Sequence, residues 1–146
     1  MAHYELKLEN QLCFPIYAAS HLITRAYQPY LDKLGITYPQ YLVLMILWEQ
    51  GELTVNDIAK KLHLKTNTVT PLLKRMENQD WLVRKRDMVD QRRVIITLSS
   101  KAKSIEKQAL CIPRALAEQF NESPLTLGDA IKLKEDLAKL ISAMSS

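Results

Sequence analysis

The sequence predicts a mainly α-helical protein with a small β-hairpin wing, in which a winged helix-turn-helix core is flanked by helices at both ends. Three observations predict this fold. Two short helical patterns separated by a tight turn occupy residues 53–80. Two short β-like runs, 82–86 and 94–98, then enclose a polar, basic loop at 87–93. Finally, residues 65–93 hold eight basic and four acidic residues, so their balance of +4 equals the formal net charge of the whole chain.

Composition predicts a folded protein and excludes several classes. The chain has 146 residues, of which 47% are hydrophobic and 25% charged, which is typical of a folded domain. It has three glycines and neither a phosphate-binding nor a dinucleotide-binding glycine motif. No apolar run approaches the roughly 18–20 residues of a membrane span, and the N-terminus lacks the apolar core of a signal peptide. We therefore expect a cytoplasmic protein without membrane contact.

The cysteines and histidines predict no metal site. Cys13 and Cys111 are too few and too far apart in the sequence for a disulfide scaffold or a zinc site. The three histidines show no ligand spacing. We expect no metal and no cofactor.

A 3.6-residue apolar period predicts a long amphipathic helix from about residue 7 to residue 34. Pro15 interrupts its first part, so the helix either begins near Leu12 or kinks there. Gly35 marks its end. Thr37 and Gln40 fit a capping box for the next, nearly all-apolar helix, which Gly51 ends.

The helix-turn-helix follows. Residues 54–57 are predicted to cap a short helix. The next helix is predicted from Thr66 to Asn78, and the segment 64–78 that contains it is predicted to be the recognition helix. Pro71 places the start of that helix between Thr66 and Thr68, because proline is tolerated near a first turn. A basic helix and hairpin is often only a solvated surface, but this spacing and this confinement of charge favour double-stranded DNA as the partner. The candidate DNA-binding residues are Lys65, Thr66, Asn67, Thr68, Thr70, Lys74, Arg75, Arg84, Lys85, Arg86, Asp90, Arg92 and Arg93.

Two further helices are predicted after the wing, at about 100–120 and 126–144. The terminal helices have more apolar surface than a core this small can cover. We therefore expect a single domain over residues 1–146, with a winged core at 37–98 and a dimerisation region at 7–34 and 100–144.

The segment LTVNDIAKKLHLKTNTVTPLLKRMENQDWLVRKRDMVDQRRVIITLS resembles the winged-helix region of the MarR family, whose wing signature, Asp-x-Arg, is present as Asp90-Gln91-Arg92. The segments LENQLCFPIYAAS and AYQPYLDKLGITYPQYLVLMILWE are similar to its OhrR branch, which senses organic hydroperoxides and includes staphylococcal relatives. The resemblance covers nearly the whole chain. One departure is that recognition helices of that branch often begin Asp-Ser-Gly-Thr, whereas this chain has Lys65-Thr66-Asn67-Thr68. A known operator sequence therefore does not transfer.

The resemblance implies a homodimeric repressor that releases a pseudo-palindromic operator when organic hydroperoxides oxidise an N-terminal cysteine, which by position is Cys13. It implies that Tyr27 and Tyr38 hydrogen-bond that sulfur from the partner subunit, and that Tyr17 belongs to the pocket. It identifies Arg92 as the wing arginine and places three threonines of the recognition helix against bases and phosphates, namely Thr66, Thr68 and Thr70.

The chemistry of Cys13 depends on its thiolate, because the thiol is a poor nucleophile. If Pro15 sets the local helix start, Cys13 lies near a helix N-terminus, where unpaired N–H groups favour negative charge. Tyrosine hydroxyls can donate hydrogen bonds to the sulfur. We expect the apolar neighbours to favour bulky organic hydroperoxides over hydrogen peroxide, and these neighbours are Leu12, Phe14 and Ile16.

Oxidation of Cys13 gives a sulfenic acid first. Cys111 is either a resolving cysteine that forms a disulfide with Cys13, between subunits, or a core residue on an apolar face. In the second case a small cellular thiol would cap Cys13.

Two other functions are compatible with the same residues. The first is a MarR-type repressor controlled by a small phenolic or apolar ligand. The second is a thiol-dependent peroxidase, which we do not expect because the chain lacks a CxxC motif and a dedicated cation beside a cysteine.

Overall fold

The computed structural model describes residues 3–145, which form two compact units that meet in the sequence between Tyr38 and Pro39. The described residues are mainly helical with one three-stranded antiparallel sheet, which confirms the predicted fold class. The elements are α1 (Cys13–Leu34), α2 (Tyr38–Gln50), β1 (Glu52–Thr54), α3 (Val55–Leu62), α4 (Thr66–Asn78), β2 (Leu82–Arg86), β3 (Val94–Leu98), α5 (Ser100–Ser104), α6 (Glu106–Ala109), α7 (Cys111–Asn121) and α8 (Leu127–Met144).

The first helix begins later than its apolar period predicted. Two short 3-10 turns, Tyr4–Leu6 and Leu8–Asn10, precede α1, which begins at Cys13. This confirms the predicted alternative of a start near Leu12, whereas the start near residue 7 that the apolar period indicated is wrong. Pro15 explains the later start, because at the third helical position its missing N–H has no helical acceptor to lose. Gly35 ends α1 in the left-handed region at φ 73°, as predicted.

A second proline lies inside α1. Pro29 removes the N–H that would bond the carbonyl of Arg25, yet the helix continues to Leu34. One missing hydrogen bond therefore does not end α1.

The second unit is built around α2, whose apolar sequence predicted a central helix. Gly51 follows the helix at φ 82°. Four of its apolar side chains are buried, which confirms the prediction, and they are Tyr41, Val43, Leu44 and Leu47.

A short strand that was not predicted from the sequence leads into α3. β1 pairs antiparallel with β3, with Leu53 opposite Ile96. Its last residue, Thr54, also caps α3: the Thr54 hydroxyl accepts from the Asp57 N–H at 3.1 Å, and the Asp57 carboxylate accepts from the Thr54 N–H at 3.4 Å. The cap was predicted, but a three-residue strand with a single apolar side chain has too short an alternation to detect.

The wing strands have the predicted bounds. β2 and β3 pair from Leu82 opposite Leu98 to Arg86 opposite Val94, and the sheet order is β1-β3-β2. Ile96, at the centre of β3, is fully buried. The hairpin therefore packs by one face against the helical core.

The single helix predicted at 100–120 is wrong, because the segment is broken into α5, α6 and α7. At the first break the Ser104 hydroxyl donates a hydrogen bond to the Lys101 carbonyl at 2.6 Å. In a continuous helix this carbonyl would instead accept from the backbone N–H four residues further on. At the second break Pro113 has no N–H for the Ala109 carbonyl, and its ring crowds that group. α8 begins after Thr126, close to the predicted start. Within residues 3–145, no helix combines the length and apolar character needed to cross a membrane.

Candidate nucleic-acid interface and cysteine site

The recognition helix α4 has one apolar and one polar face. Its apolar face is buried in the second unit through Val69, Leu72, Leu73 and Met76. Burial of these side chains holds the helix in place and leaves the other face towards solvent. Of the predicted DNA-binding residues near its start, Thr70 is half-buried and the others are exposed, namely Lys65, Thr66, Asn67 and Thr68. Lys74 and Arg75, further along the helix, are exposed as well.

The helix α4 has the bounds predicted for it, Thr66–Asn78. Its start lies within the range that Pro71 indicated, although the recognition segment was expected to begin at Leu64. Lys65 is its N-cap and makes no side-chain cap hydrogen bond. Pro71 is the sixth helical residue and lies in the second turn, so α4 tolerates a proline further in than we expected.

A polar groove of about 430 Å³ brings several predicted residues together. Thr66 and Thr70 of α4 lie along it with Arg84, Arg92 and Arg93 of the wing. Three polar residues of α3 also line the groove and were not predicted from the sequence: Asn56 and Asp57 in its first turn and Lys60 in its last. The Thr66 hydroxyl donates to the Asn56 side-chain oxygen at 3.4 Å. The helix-turn-helix pattern could have predicted these residues, because its tight turn brings the two helices together and places α3 beside the start of α4.

Asp90 holds the wing arginine. One Asp90 oxygen accepts from the Arg92 backbone N–H at 3.1 Å and from Arg92 Nε at 3.2 Å, while the second lies 3.5 Å from Nη2. These hydrogen bonds lower the pKa of the Asp90 carboxyl, so it stays ionised at neutral pH. The Arg92 side chain is 92% exposed. Asp90 therefore orients Arg92 without removing it from solvent.

The rest of the wing loop is also closed by hydrogen bonds. The Asp87 N–H donates to the Arg93 carbonyl at 2.9 Å, and their side chains form an ion pair at 3.5 Å. Arg86 donates to the Gln91 carbonyl at 2.7 Å. Lys85 and Arg86 are exposed at the base of the loop, as expected for phosphate contacts.

Arg84 lies in a different environment from the other wing cations. Its side chain is only 20% exposed, and Nη1 lies 3.8 Å from a carboxylate oxygen of Glu77 near the end of α4. The other Glu77 oxygen accepts from the Arg84 backbone N–H at 3.1 Å. Glu77 therefore fastens the recognition helix to the first strand of the wing.

Replacing Glu77 with alanine is expected to lower the free energy of unfolding by about 1–2 kcal/mol, because the part-buried Arg84 N–H loses its acceptor. Urea unfolding measures the change. Glu77→Gln is the matched control, since its amide oxygen can still accept from that N–H, and it should lose less. Equal stabilities for the wild type and both variants would contradict the assigned role of Glu77.

The cysteine site begins with a hydrogen-bonded N-terminal segment. Asn10 Nδ2 donates to the Tyr4 carbonyl at 2.7 Å, and Gln11 Nε2 donates to the carbonyls of Glu5 and Lys7 at 2.7 and 2.8 Å. Cys13 follows as the first residue of α1 and is exposed. The predicted position at a helix N-terminus is therefore confirmed. The expected apolar neighbours are also exposed, namely Leu12, Phe14 and Ile16.

Tyr27 and Tyr38 form a pair. Their ring centroids lie 5.0 Å apart with a tilt of 48°. Burial raises the pKa of both hydroxyls, and the neighbouring Tyr27 raises that of Tyr38 further, so both remain protonated donors at neutral pH. Tyr17 packs instead edge-on against His21, with centroids 4.4 Å apart.

Within one chain, the tyrosine pair cannot reach the sulfur of Cys13. Cys13 and Tyr27 are 14 residues apart on α1, which at 1.5 Å per residue corresponds to about 21 Å. The Cys13 and Tyr27 side chains therefore come together only if a second copy supplies one of them.

Cys111 is the first residue of α7 and is exposed. Its thiol donates to the Gln108 carbonyl at 3.1 Å. The alternative that placed Cys111 in the core of the chain is therefore wrong, because the break before α7 turns this position outwards. Among residues 3–145, no three histidine, cysteine or acidic side chains cluster in a way that could hold a metal ion.

Comparisons with known proteins agree with this geometry. A family model for the transcriptional regulators SarA/Rot matches residues 25–109. The organic hydroperoxide resistance transcriptional regulator of Bacillus subtilis is 45% identical over 139 residues, covering 95% of this chain and 88% of the relative.

Two solved structures are similar over nearly the whole chain. Reduced AbfR of Staphylococcus epidermidis bound to DNA matches with a TM-score of 0.78 and 35% identity, covering 96% of this chain and 95% of that one. The organohalide-sensing regulator RdhR in its 2,4-dichlorophenol-bound form matches with a TM-score of 0.84 and 27% identity, covering 99% and 86%.

Proposed function

Because this chain belongs to the winged-helix transcriptional regulators of the MarR and SarA/Rot type and resembles their organic-hydroperoxide branch, we propose that it is a homodimeric repressor that senses organic hydroperoxides through Cys13. Oxidation of Cys13 makes the dimer release its pseudo-palindromic operator. DNA binding itself follows from the family, whereas the dimer, the oxidant and the release are the content of the proposal.

The position of Cys13 carries the proposal. The thiol is exposed at the start of α1 among apolar side chains, where a hydrocarbon-bearing peroxide can approach. The family resemblance assigns Tyr27 and Tyr38 to the sulfur, but Tyr27 lies too far along α1 to reach it, and Tyr38, the first residue of α2, packs against Tyr27. A second copy of the chain completes the site.

The terminal helices support the dimer. No side chain of α8 is buried, although the helix carries large apolar residues, and α1 also exposes an apolar stripe. We assign residues 7–34 and 100–144 to the dimer interface, because a second copy would cover these surfaces. The most exposed apolar residues on α8 are Leu127 at 75% and Met144 at 76%.

The proposed reaction is a two-electron oxidation of sulfur. The Cys13 thiolate attacks the terminal peroxide oxygen, the O–O bond breaks, and the alkoxide leaves and takes a proton to become an alcohol. Cys13 is then a sulfenic acid. A second thiol then attacks the sulfur of this sulfenic acid, which forms a disulfide and releases water. The second thiol is either Cys111 of the partner subunit or a small cellular thiol. The exposure of Cys111 favours the first route.

Release then follows from repacking near the dimer interface. An oxidised sulfur no longer fits the tyrosine hydrogen bonds, and the two recognition helices must stay about one DNA turn apart to read two half-sites. One physical link to α4 is Lys101 of α5, which donates to the Gln79 carbonyl at 2.8 Å and lies 4.0 Å from the Trp81 ring centroid. Movement of the C-terminal helices is therefore transmitted to the end of α4.

The test is a titration of promoter DNA by fluorescence anisotropy, with reduced protein and with protein treated with one equivalent of cumene hydroperoxide. Loss of binding that a thiol reductant reverses is expected. Hydrogen peroxide at the same concentration should act more slowly, because it gains nothing from the apolar surroundings of Cys13. Unchanged binding after confirmed oxidation of Cys13 would contradict the proposal.

The relatives are transcriptional regulators, so we propose a stoichiometric sensor and not a peroxidase. The expected reaction stops at one hydroperoxide per Cys13 when no reductant is present. Continued consumption of hydroperoxide with dithiothreitol, at a rate far above that of the free thiol, would support an enzyme instead.

The second candidate function is control by a small phenolic or apolar ligand. The likeness to RdhR with bound 2,4-dichlorophenol favours it. Release of promoter DNA by 2,4-dichlorophenol in the presence of a thiol reductant would support this candidate. Release by hydroperoxide in the absence of reductant, with no effect of 2,4-dichlorophenol, would support the thiol switch.

A further inference from the structure

The tip of the wing carries two apolar side chains in full contact with solvent. Met88 and Val89 are each 96% exposed. Elsewhere between residues 39 and 98, all of which the structure describes, the exposed large apolar residues are Leu64 at 45% and Val83 at 38%. Met88 and Val89 are therefore exceptional for this part of the molecule, and nothing in the dimer proposal uses them.

The chain holds this apolar tip in a defined shape. The Asp87 carboxylate accepts from the Val89 N–H at 3.0 Å, and the Asp90 carboxylate accepts from the Arg92 N–H at 3.1 Å. These are two successive Asx turns. The Arg93 N–H closes the second turn by donating to the Asp90 carbonyl at 3.0 Å. A tip fixed in this way loses little conformational entropy when it binds.

The charges around the tip point to one class of partner. Residues 84–93 hold five basic and two acidic residues. Both acids are paired within the loop, Asp87 with Arg93 and Asp90 with Arg92, so neither is free to repel an anion. An apolar point surrounded by cations fits DNA, whose phosphates flank apolar stacked bases.

We propose that Met88 and Val89 form an apolar wedge that the wing presses into the minor groove of the operator, against or between two base pairs. The guanidinium groups beside the tip hold the phosphates while the wedge partly unstacks the step. Apolar wedges of this kind kink DNA and favour easily deformed pyrimidine–purine steps. The proposal rests on DNA binding by the wing and is independent of the oxidation of Cys13.

The wedge adds a source of specificity that base contacts do not supply. A rigid step resists unstacking and a flexible TA or CA step yields at lower cost, so the wing selects sequence through deformability. The chain then recognises its operator in two ways: the polar face of α4 contacts bases, and the wing selects a base step that bends easily.

The test compares reduced wild type with the double variant Met88→Ser/Val89→Ser on a duplex that the wild type has selected from a random pool. The matched control is Gln91→Ala, in the same loop, which keeps the backbone carbonyl that Arg86 uses. We expect the double variant to bind about tenfold more weakly and the control to bind like wild type. The salt dependence should stay the same, because no phosphate contact is removed.

Base unstacking is measured directly with 2-aminopurine at the flexible step, whose fluorescence should rise with wild type and with Gln91→Ala but not with the double variant. Replacing that step with an A-tract should weaken wild type and leave the double variant unchanged. Unchanged affinity of the double variant, or no fluorescence rise with wild type at any step, would overturn the wedge. Equal urea unfolding curves show that any loss of binding does not come from misfolding.

Discussion

Cys13→Ser is expected to bind promoter DNA as tightly as reduced wild type and to remain bound after treatment with organic hydroperoxide. Serine is close in size to cysteine at this exposed position, so the fold and the DNA surface should be unaffected. Its hydroxyl does not form a sulfenic acid, so the oxidation step is lost. Coupling between two sites is typically about 1–3 kcal/mol, so the wild type should lose about 5- to 150-fold in affinity on oxidation and the variant almost nothing. Anisotropy titrations of both proteins measure this difference.

Mixed dimers provide the control for the arrangement of the site. Pairing a Cys13→Ser subunit with a Tyr27→Phe/Tyr38→Phe subunit leaves one cysteine facing two tyrosines. Pairing wild type with a subunit that carries all three substitutions leaves no such site, although the number of cysteines is the same. The first dimer should form sulfenic acid faster if the tyrosines act across the interface. Faster reaction of the second dimer would mean that they act within one chain.

The Cys111→Ser variant separates the two fates of the sulfenic acid. If Cys111 resolves it, wild type shows a crosslinked dimer on non-reducing electrophoresis and the variant shows none. A crosslink that persists in the variant contradicts the Cys13–Cys111 pairing.

Leu73→Ala is expected to destabilise the protein by about 2–5 kcal/mol, since it leaves a cavity under the recognition helix. Leu73 is fully buried in the apolar face of α4. Urea or thermal unfolding in the presence of reductant measures the loss. DNA binding should fall together with the folded fraction.

Lys74, next to Leu73 on α4, provides the control, because its substitution should change DNA binding and leave stability unchanged. Lys74 is exposed on α4, so Lys74→Ala should keep the free energy of unfolding within about 0.5 kcal/mol of wild type. If Lys74 contacts phosphate, its loss should weaken binding to all sequences and reduce the salt slope by about 1. A variant with unchanged affinity and salt slope would remove Lys74 from the interface.

The sequence predicted the winged core well because its patterns are local and strong. The bounds of β2 and β3 and the cap of α3 follow from alternation, turn residues and side-chain hydrogen bonding within a few positions. The break at Ser104 could not be predicted in this way, because it depends on whether one hydroxyl turns back onto a carbonyl. Pro29 and Pro71 show the reverse case, in which a helix continues despite a lost hydrogen bond; in α4 the buried apolar face supports it.

The candidate site also has features that the sequence predicted and features that it did not. Residue type and spacing predicted the exposed face of α4 and the basic wing. They did not predict that Arg84 would pair with Glu77, because the pair depends on how the end of α4 meets β2. Nor did they distinguish Met88 and Val89 from ordinary loop residues, since only the fold shows that these side chains protrude from the tip.

The pairing of β1 with β3 has a consequence for synthesis on the ribosome. Glu52–Thr54 finds its partner only in Val94–Leu98, and both helices of the helix-turn-helix lie between them in the chain. A nascent chain can therefore form α3 and α4 before the strand that completes the sheet has emerged. Until then Thr54 caps α3 but has no strand beside it, although Glu77 and Arg84 already join β2 to α4. The sheet is thus completed only after both helices of the helix-turn-helix have been synthesised.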